Sequence, residues 1–130
     1  MASTEISRVL GEYAAAWREG DLARIVAAYH DDFVLHYFGR SPLAGTHTGK
    51  AAALAVLGEA TRLSNRRLVT VEDVLAGDDL GALVVLETVG AGEEERQIRR
   101  VLLYRVHDGR LRECWLFDED QRLVDRLWGG

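Results

Sequence analysis

The stretch from Tyr13 to Gly49, YAAAWREGDLARIVAAYHDDFVLHYFGRSPLAGTHTG, constrains the fold more than any other part of the chain. It reads as two short amphipathic helices, a strand, and a glycine-punctuated loop that enters a third helix. Ile6, Val9, Leu10, Tyr13, Ala14 and Trp17 recur at helical spacing and make one apolar stripe. Ser3 or Thr4 can cap this first helix, with Glu5 in its first turn, and Gly20 can end it in a left-handed conformation. Asp21 can then cap a second helix whose inner face carries Leu22, Ile25, Val26 and Tyr29. Asp31 and Asp32 open a new segment, and FVLHYF is rich in β-formers and too short for a helix, so a strand is expected there. Gly39, Pro42, Gly45 and Gly49 mark a loop, after which Thr48 can cap a third helix from about Lys50 to Leu63.

The remainder reads as a β-meander. Strands are expected at Arg67 to Ala76, Leu80 to Val89, Arg96 to Val106 and Leu111 to Phe117. The turns Gly77-Asp78-Asp79 and His107-Asp108-Gly109 and the acidic hairpin tip Gly90 to Glu95 separate them. A short helix from Glu119 to Trp128 closes the chain. Helices first and antiparallel strands afterwards indicate an α+β fold, with a cone-shaped helical layer over a strongly curved sheet around one cavity. Val101, Leu103 and Arg105 alternate with Arg100, Leu102 and Tyr104, so both sheet faces carry apolar side chains. The helices can cover only one face, and a second copy is expected on the other, giving a homodimer.

The chain of 130 residues suits one domain with one core, spanning 1–130. A net charge of −5 with interleaved basic residues argues against nucleic acid as a partner. No apolar run approaches a membrane span, and the N-terminus lacks the pattern of a secretory signal. Cys114 is the lone cysteine, which points to a reducing cytoplasm. Four histidines without ligand spacing make a metal site improbable, and no phosphate-binding glycine loop or nucleophile elbow occurs. No cofactor is expected. His30, His47 and His107 are expected at solvated turns.

The order of elements resembles the nuclear transport factor 2-like superfamily, with its cystatin-like α+β barrel. Within it, the chain is most similar to the polyketide cyclase (SnoaL-like) and ketosteroid-isomerase-like branch. The residues that carry the likeness are Tyr13, Gly20-Asp21, AAYHDDF at Ala27 to Phe33, PLAGTHTG at Pro42 to Gly49, HDGRL at His107 to Leu111 and ECWLFD at Glu113 to Asp118. The fold hosts isomerases, cyclases, dehydratases, epoxide hydrolases and non-enzymatic binding proteins. In the isomerases a carboxylate base works with an oxyanion hole made by a tyrosine and an aspartate that its apolar site keeps protonated. Tyr13 falls where the oxyanion tyrosine is implied. The base would fall near His36 or Tyr37 and the second donor near Leu102, and neither position carries a carboxylate. The last aspartate of an epoxide-hydrolase relay would fall near Trp115. The SnoaL-like cyclases imply an aspartate at the end of the sheet, for which Asp118 is the nearest match.

The resemblance implies a cofactor-free enzyme of the cyclase, isomerase or dehydratase kind, acting by proton transfer on a hydrophobic carbonyl compound. Its alternative is a non-catalytic small-molecule-binding or scaffold protein. Asp118, His36 and Tyr13 are the catalytic candidates. Asp118 is a general base, or else a capping box with Gln121. His36 shuttles protons, or is a satisfied core histidine, with Tyr37 as the alternative register. Trp17, Tyr29 and Phe33 make an aromatic wall, or are ordinary core. The rest of the expected ligand-binding set is Tyr37, Leu57, Arg100, Leu102, Tyr104, Cys114 and Leu116. Glu87 interrupts an apolar run and either lies on the solvated face or pairs with Arg99 or Arg100, and Arg100 can instead face the cavity and hold an anionic substrate group.

Overall fold

A computed structural model describes residues 2–129, with side chains described from residue 4. Helix α1 (Ala2–Glu19) and the short α2 (Leu22–Ala27) lead into strand β1 (Tyr29–Tyr37). A hairpin partner, β2 (Gly45–Thr48), precedes α3 (Lys50–Ser64). The meander follows as β3 (Arg67–Ala76), β4 (Leu80–Val89), β5 (Arg96–His107) and β6 (Arg110–Asp118), and α4 (Gln121–Leu127) ends the chain. The six strands form one curved, open sheet in the order β2-β1-β6-β5-β4-β3. All neighbours are antiparallel except β1 and β6, which run parallel.

Local chemistry explains most boundaries. Gly20 takes φ +65°, which suits a residue without a Cβ at a helix end. The Asp21 side chain then accepts from the Arg24 N–H and caps α2. The inner face of α1 packs Ile6, Leu10, Tyr13 and Ala14 into the core. Gly81 on β4 lets this helix approach closely, since a Cβ there would lie 2.5 Å from side-chain carbons of both Ile6 and Leu10.

Several expectations need correction. Ser3 and Thr4 lie inside α1 rather than ahead of it, and the Ser3 side chain is outside the described residues. Tyr29 opens β1 instead of closing α2, and Leu22 is 71% exposed. The glycine loop contains β2, a strand too short and polar to show alternation; its pairing with β1 stabilises it. Thr48 ends that strand, so Gly49 precedes α3 without a side-chain cap. The expected fold class holds, an α+β fold with a curved and mostly antiparallel sheet; the one departure is the parallel pairing of β1 with β6. Asp120, not Asp118, caps α4, accepting from the Leu123 N–H at 3.1 Å. His30 and His47 sit in β1 and β2 rather than at turns. Among the described residues no helix is long and apolar enough to cross a membrane.

Candidate functional site

Alternation along the strands sorts side chains between two faces. Phe33, Leu35 and Tyr37 of β1, Cys114 and Leu116 of β6, Arg100, Leu102 and Tyr104 of β5, and Glu87 of β4 are buried on the helix-covered face. A cavity of about 390 Å³ lies between this face and the three N-terminal helices. Its wall is largely apolar and aromatic, with Tyr13 and Trp17 from α1, Tyr29 and Phe33 from β1, and Leu54 and Leu57 from α3. Leu22, Ile25 and Val26 of α2 also line it.

The tyrosines are packed edge to face. The Tyr13 ring lies 5.6 Å from that of Tyr29 and 5.9 Å from that of Tyr104, and the Tyr13 and Tyr29 hydroxyls share a hydrogen bond. Burial pushes the Tyr13 phenol up to about 12. Burial also raises Tyr29 and Tyr104 well above the ordinary tyrosine value. These phenols therefore stay protonated near neutrality, and one of the Tyr13 and Tyr29 protons serves the bond between them. Burial likewise pushes the Cys114 thiol up, which removes it as a nucleophile.

One side of the cavity is charged. Arg66 follows the left-handed Asn65 (φ 49°) at the end of α3, and that reversal turns it into the interior. Its Nη1 donates to Glu87 Oε1 at 3.0 Å and to Asp118 Oδ1 at 3.2 Å. Arg100 sits opposite Asp118 in the β5–β6 ladder and donates from Nε to the same Oδ1 at 3.3 Å. Its Nε is 3.8 Å from Glu87 Oε1. All four side chains are at most 5% exposed. Burial by itself would lower the Arg100 value, but Asp118, Tyr37 and Glu87 together raise it, so the guanidinium is held charged. Arg66 Nε and Nη2, Arg100 Nη2 and the Tyr37 hydroxyl are buried without a partner. Buried polar groups of this kind normally find one, so four in one neighbourhood point to a ligand or to water. Arg66 Nε and Nη2 together form one edge of the guanidinium, the fork that receives two oxygens or one shared oxygen.

The expected residues divide accordingly. Trp17, Tyr29, Phe33, Leu57, Arg100, Leu102, Tyr104, Cys114 and Leu116 all line the cavity, as does Tyr13. Tyr37 is buried on the same face but packs against Trp128 at 4.8 Å rather than lining the cavity. Asp118 is behind the arginines and does not line it. His36 belongs to the opposite sheet face. Its Nε2 donates to Glu113 Oε2 at 2.6 Å, its Nδ1 is 3.0 Å from Thr46 Oγ1, and its ring stacks on Trp115 at 5.2 Å. Tyr13, Asp118 and His36 therefore do not converge, because neighbouring residues of a strand point to opposite sides. Glu87 pairs with Arg100 and more closely with Arg66, while Arg99 turns to the other face and binds Glu72 at 2.8 Å.

Sequence reasoning missed Arg66 altogether. Arg66 stands just ahead of β3 and beside Arg67, and the two have the look of a solvated pair. Among the described residues there is no cluster of three or more groups able to hold a metal ion.

Residues 10–114 match the sequence family described as the SnoaL-like domain. No curated protein matches the chain in sequence. Among solved structures, a Xanthomonas campestris protein of unknown function with a cystatin-like fold is 28% identical, with TM-score 0.84 over 95% of this chain and 97% of that one. A candidate polyketide cyclase from Xanthomonas campestris pv. campestris is 13% identical, with TM-score 0.75 over 98% and 99%. TerC, co-crystallised with polyporic acid, is 17% identical, with TM-score 0.76 over 97% and 99%.

Proposed function

The chain belongs to the SnoaL-like domain family, and from that membership we propose that its cavity binds a hydrophobic carbonyl compound and moves a proton on it without a cofactor. The reaction is of the cyclase, isomerase or dehydratase kind. The observation that carries this reading is the pair of buried guanidinium groups with unpartnered N–H donors beside an otherwise apolar cavity. Donors held in a dry site stabilise a developing enolate more than water does, because they need no reorganisation as charge appears. The protonated phenol of Tyr104, and one hydroxyl of the bonded Tyr13–Tyr29 pair, add uncharged polar groups to the same wall. A candidate polyketide cyclase and a protein co-crystallised with polyporic acid share the fold, which supports a small molecule as occupant.

The second reading, a binding protein without turnover, is favoured by one observation: Asp118 is held by two arginines and His36 lies across the sheet. The two readings separate with 2-tetralone, an uncharged bicyclic ketone. Its binding is measured by calorimetry, and the exchange of its α-protons in heavy water by NMR. Exchange above the buffer rate supports an enzyme. Binding without exchange supports the second reading. Mass spectrometry of any compound retained through purification identifies the natural class.

We also propose a homodimer through the outer sheet face, where Val101 and Phe117 are exposed and Phe38 stacks on Phe117 at 5.1 Å. The buried, unpaired Cys114 fits a reducing cytoplasm.

A further inference from the structure

Charge within the buried cluster is balanced. Arg66 and Arg100 bring two positive charges and Glu87 and Asp118 bring two negative ones, all within hydrogen-bonding or ion-pair distance. A ligand that arrives as a carboxylate would satisfy the unpartnered N–H groups, but would leave one buried negative charge without a counter-charge. A buried unpaired charge is among the costliest things a protein interior can hold. A neutral ketone satisfies the same donors through its carbonyl oxygen and leaves the balance intact.

The two carboxylates are not equivalent. Glu87 lines the cavity and Asp118 does not. The Arg66 Nη1 hydrogen bond to Glu87 falls on Oε1 at 3.0 Å, and Arg100 Nε lies 3.8 Å from the same oxygen. Among the described residues no hydrogen bond reaches Oε2. We propose that the ligand enters uncharged, as an enolisable ketone rather than a carboxylate, and that Glu87 receives the proton it gives up.

The step balances within the cluster. The α-carbon–hydrogen bond breaks and an O–H bond forms on Glu87 Oε2. The electron pair moves into the C–C bond, and the carbonyl pair moves onto oxygen, which becomes the enolate. Guanidinium N–H groups of Arg66 and Arg100 donate to that oxygen. As Glu87 loses its charge the enolate gains one beside the same arginines, so the net charge of the interior does not change. Return of the proton from Oε2 to a different carbon completes an isomerisation, and return to the same carbon in heavy water appears as exchange.

This inference rests on the proton-transfer reading above, and the test separates the two. The wild-type protein is given 2-tetralone and, separately, 2-naphthoate, a carboxylate of similar outline. The ketone is expected to bind at least tenfold tighter and to exchange its α-protons well above the buffer rate. Glu87→Gln is expected to lower that exchange by 100-fold or more, in the range that a general base supplies. Glu87→Asp keeps the charge, withdraws the carboxylate by one methylene, and is expected to lose tenfold or more; it serves if the glutamine variant does not fold. Tighter binding of 2-naphthoate overturns neutral entry. Exchange that persists undiminished in a folded Glu87 variant overturns Glu87 as acceptor and leaves the proton-transfer reading intact. Ketone binding without exchange in the wild type overturns both. Failure of both compounds to bind overturns the carbonyl reading and this inference with it.

Discussion

Arg100 and Asp118 face each other across the β5–β6 ladder, with Nε 3.3 Å from Oδ1, while Nη2 of the same guanidinium is buried without a partner. One end of the side chain is thus fixed and the other is available to a ligand. The same division holds for Arg66, where Nη1 carries both carboxylates and Nε and Nη2 carry none. In this arrangement Asp118 positions two arginines instead of meeting a substrate.

Asp118→Asn is accordingly expected to act first on stability. The variant leaves two buried cations facing one carboxylate, and breaking a buried pair of this kind costs about 3–5 kcal/mol. Urea denaturation of the purified variant checks this. Unchanged stability with abolished proton exchange would instead return Asp118 to the role of base.

His36→Ala is expected to leave 2-tetralone binding within twofold of wild type, because the imidazole lies on the far sheet face among Thr46, Glu113 and Trp115. Its cost appears as stability, about 1 kcal/mol for the lost hydrogen bonds. Calorimetric titration beside a thermal melt separates the two effects.

Alkaline pH is expected to unfold the protein through its tyrosines. The folded Tyr13 phenol titrates near 12, against 10.0 for the ordinary group. The unfolded chain therefore loses protons first, and stability falls as pH rises. The contribution is intact below pH 10 and is lost up to about pH 12, at about 1.4 kcal/mol per pH unit for each such group. Tyr29 and Tyr104, raised further by burial, act in the same direction. Denaturation midpoints from pH 8 to pH 12 measure the slope, which Tyr13→Phe should reduce.

Gly81→Ala is expected to destabilise by about 1–3 kcal/mol, as overpacking of a filled core does. The new methyl group would meet Ile6 and Leu10 at 2.5 Å and the Leu75 carbonyl oxygen at 2.9 Å. The side chains can shift but the carbonyl belongs to the neighbouring strand. A drop in thermal midpoint with unchanged circular dichroism at room temperature is the expected result.

Phe117→Asp tests the proposed dimer. Phe117 is 46% exposed on the outer face, beside Phe38 and Val101. Sedimentation velocity should show the wild type at twice the chain mass and the variant at the chain mass. A wild-type monomer at micromolar concentration would remove the outer face as an interface.

The sequence by itself determined what neighbouring residues decide. Strands Arg67–Ala76 and Leu80–Val89 lie where alternation and the Gly77-Asp78-Asp79 turn put them, and Gly20 and Asp21 end one helix and start the next as their backbone and side-chain preferences require. Nine of the ten residues expected to bind a ligand line the cavity, because the resemblance set which strands form its wall and period-two alternation carried the rest. Tertiary structure decided the remainder. Alternation puts His36 and Tyr37 on opposite faces but cannot say which face the helices cover; the packing of α1 and α3 made that choice. Strand β2 has no signal of its own, since four polar residues become a strand only when β1 supplies their hydrogen bonds. Arg66, Glu87, Arg100 and Asp118 come from four separate segments; strand pairing makes the Glu87–Arg100 link legible in the sequence, but no local pattern joins Arg66 and Asp118 to it. Only the pairing of β4, β5 and β6 in the curved sheet and the reversal at Asn65 bring these charges together out of water, where each must find a partner and several N–H groups still have none.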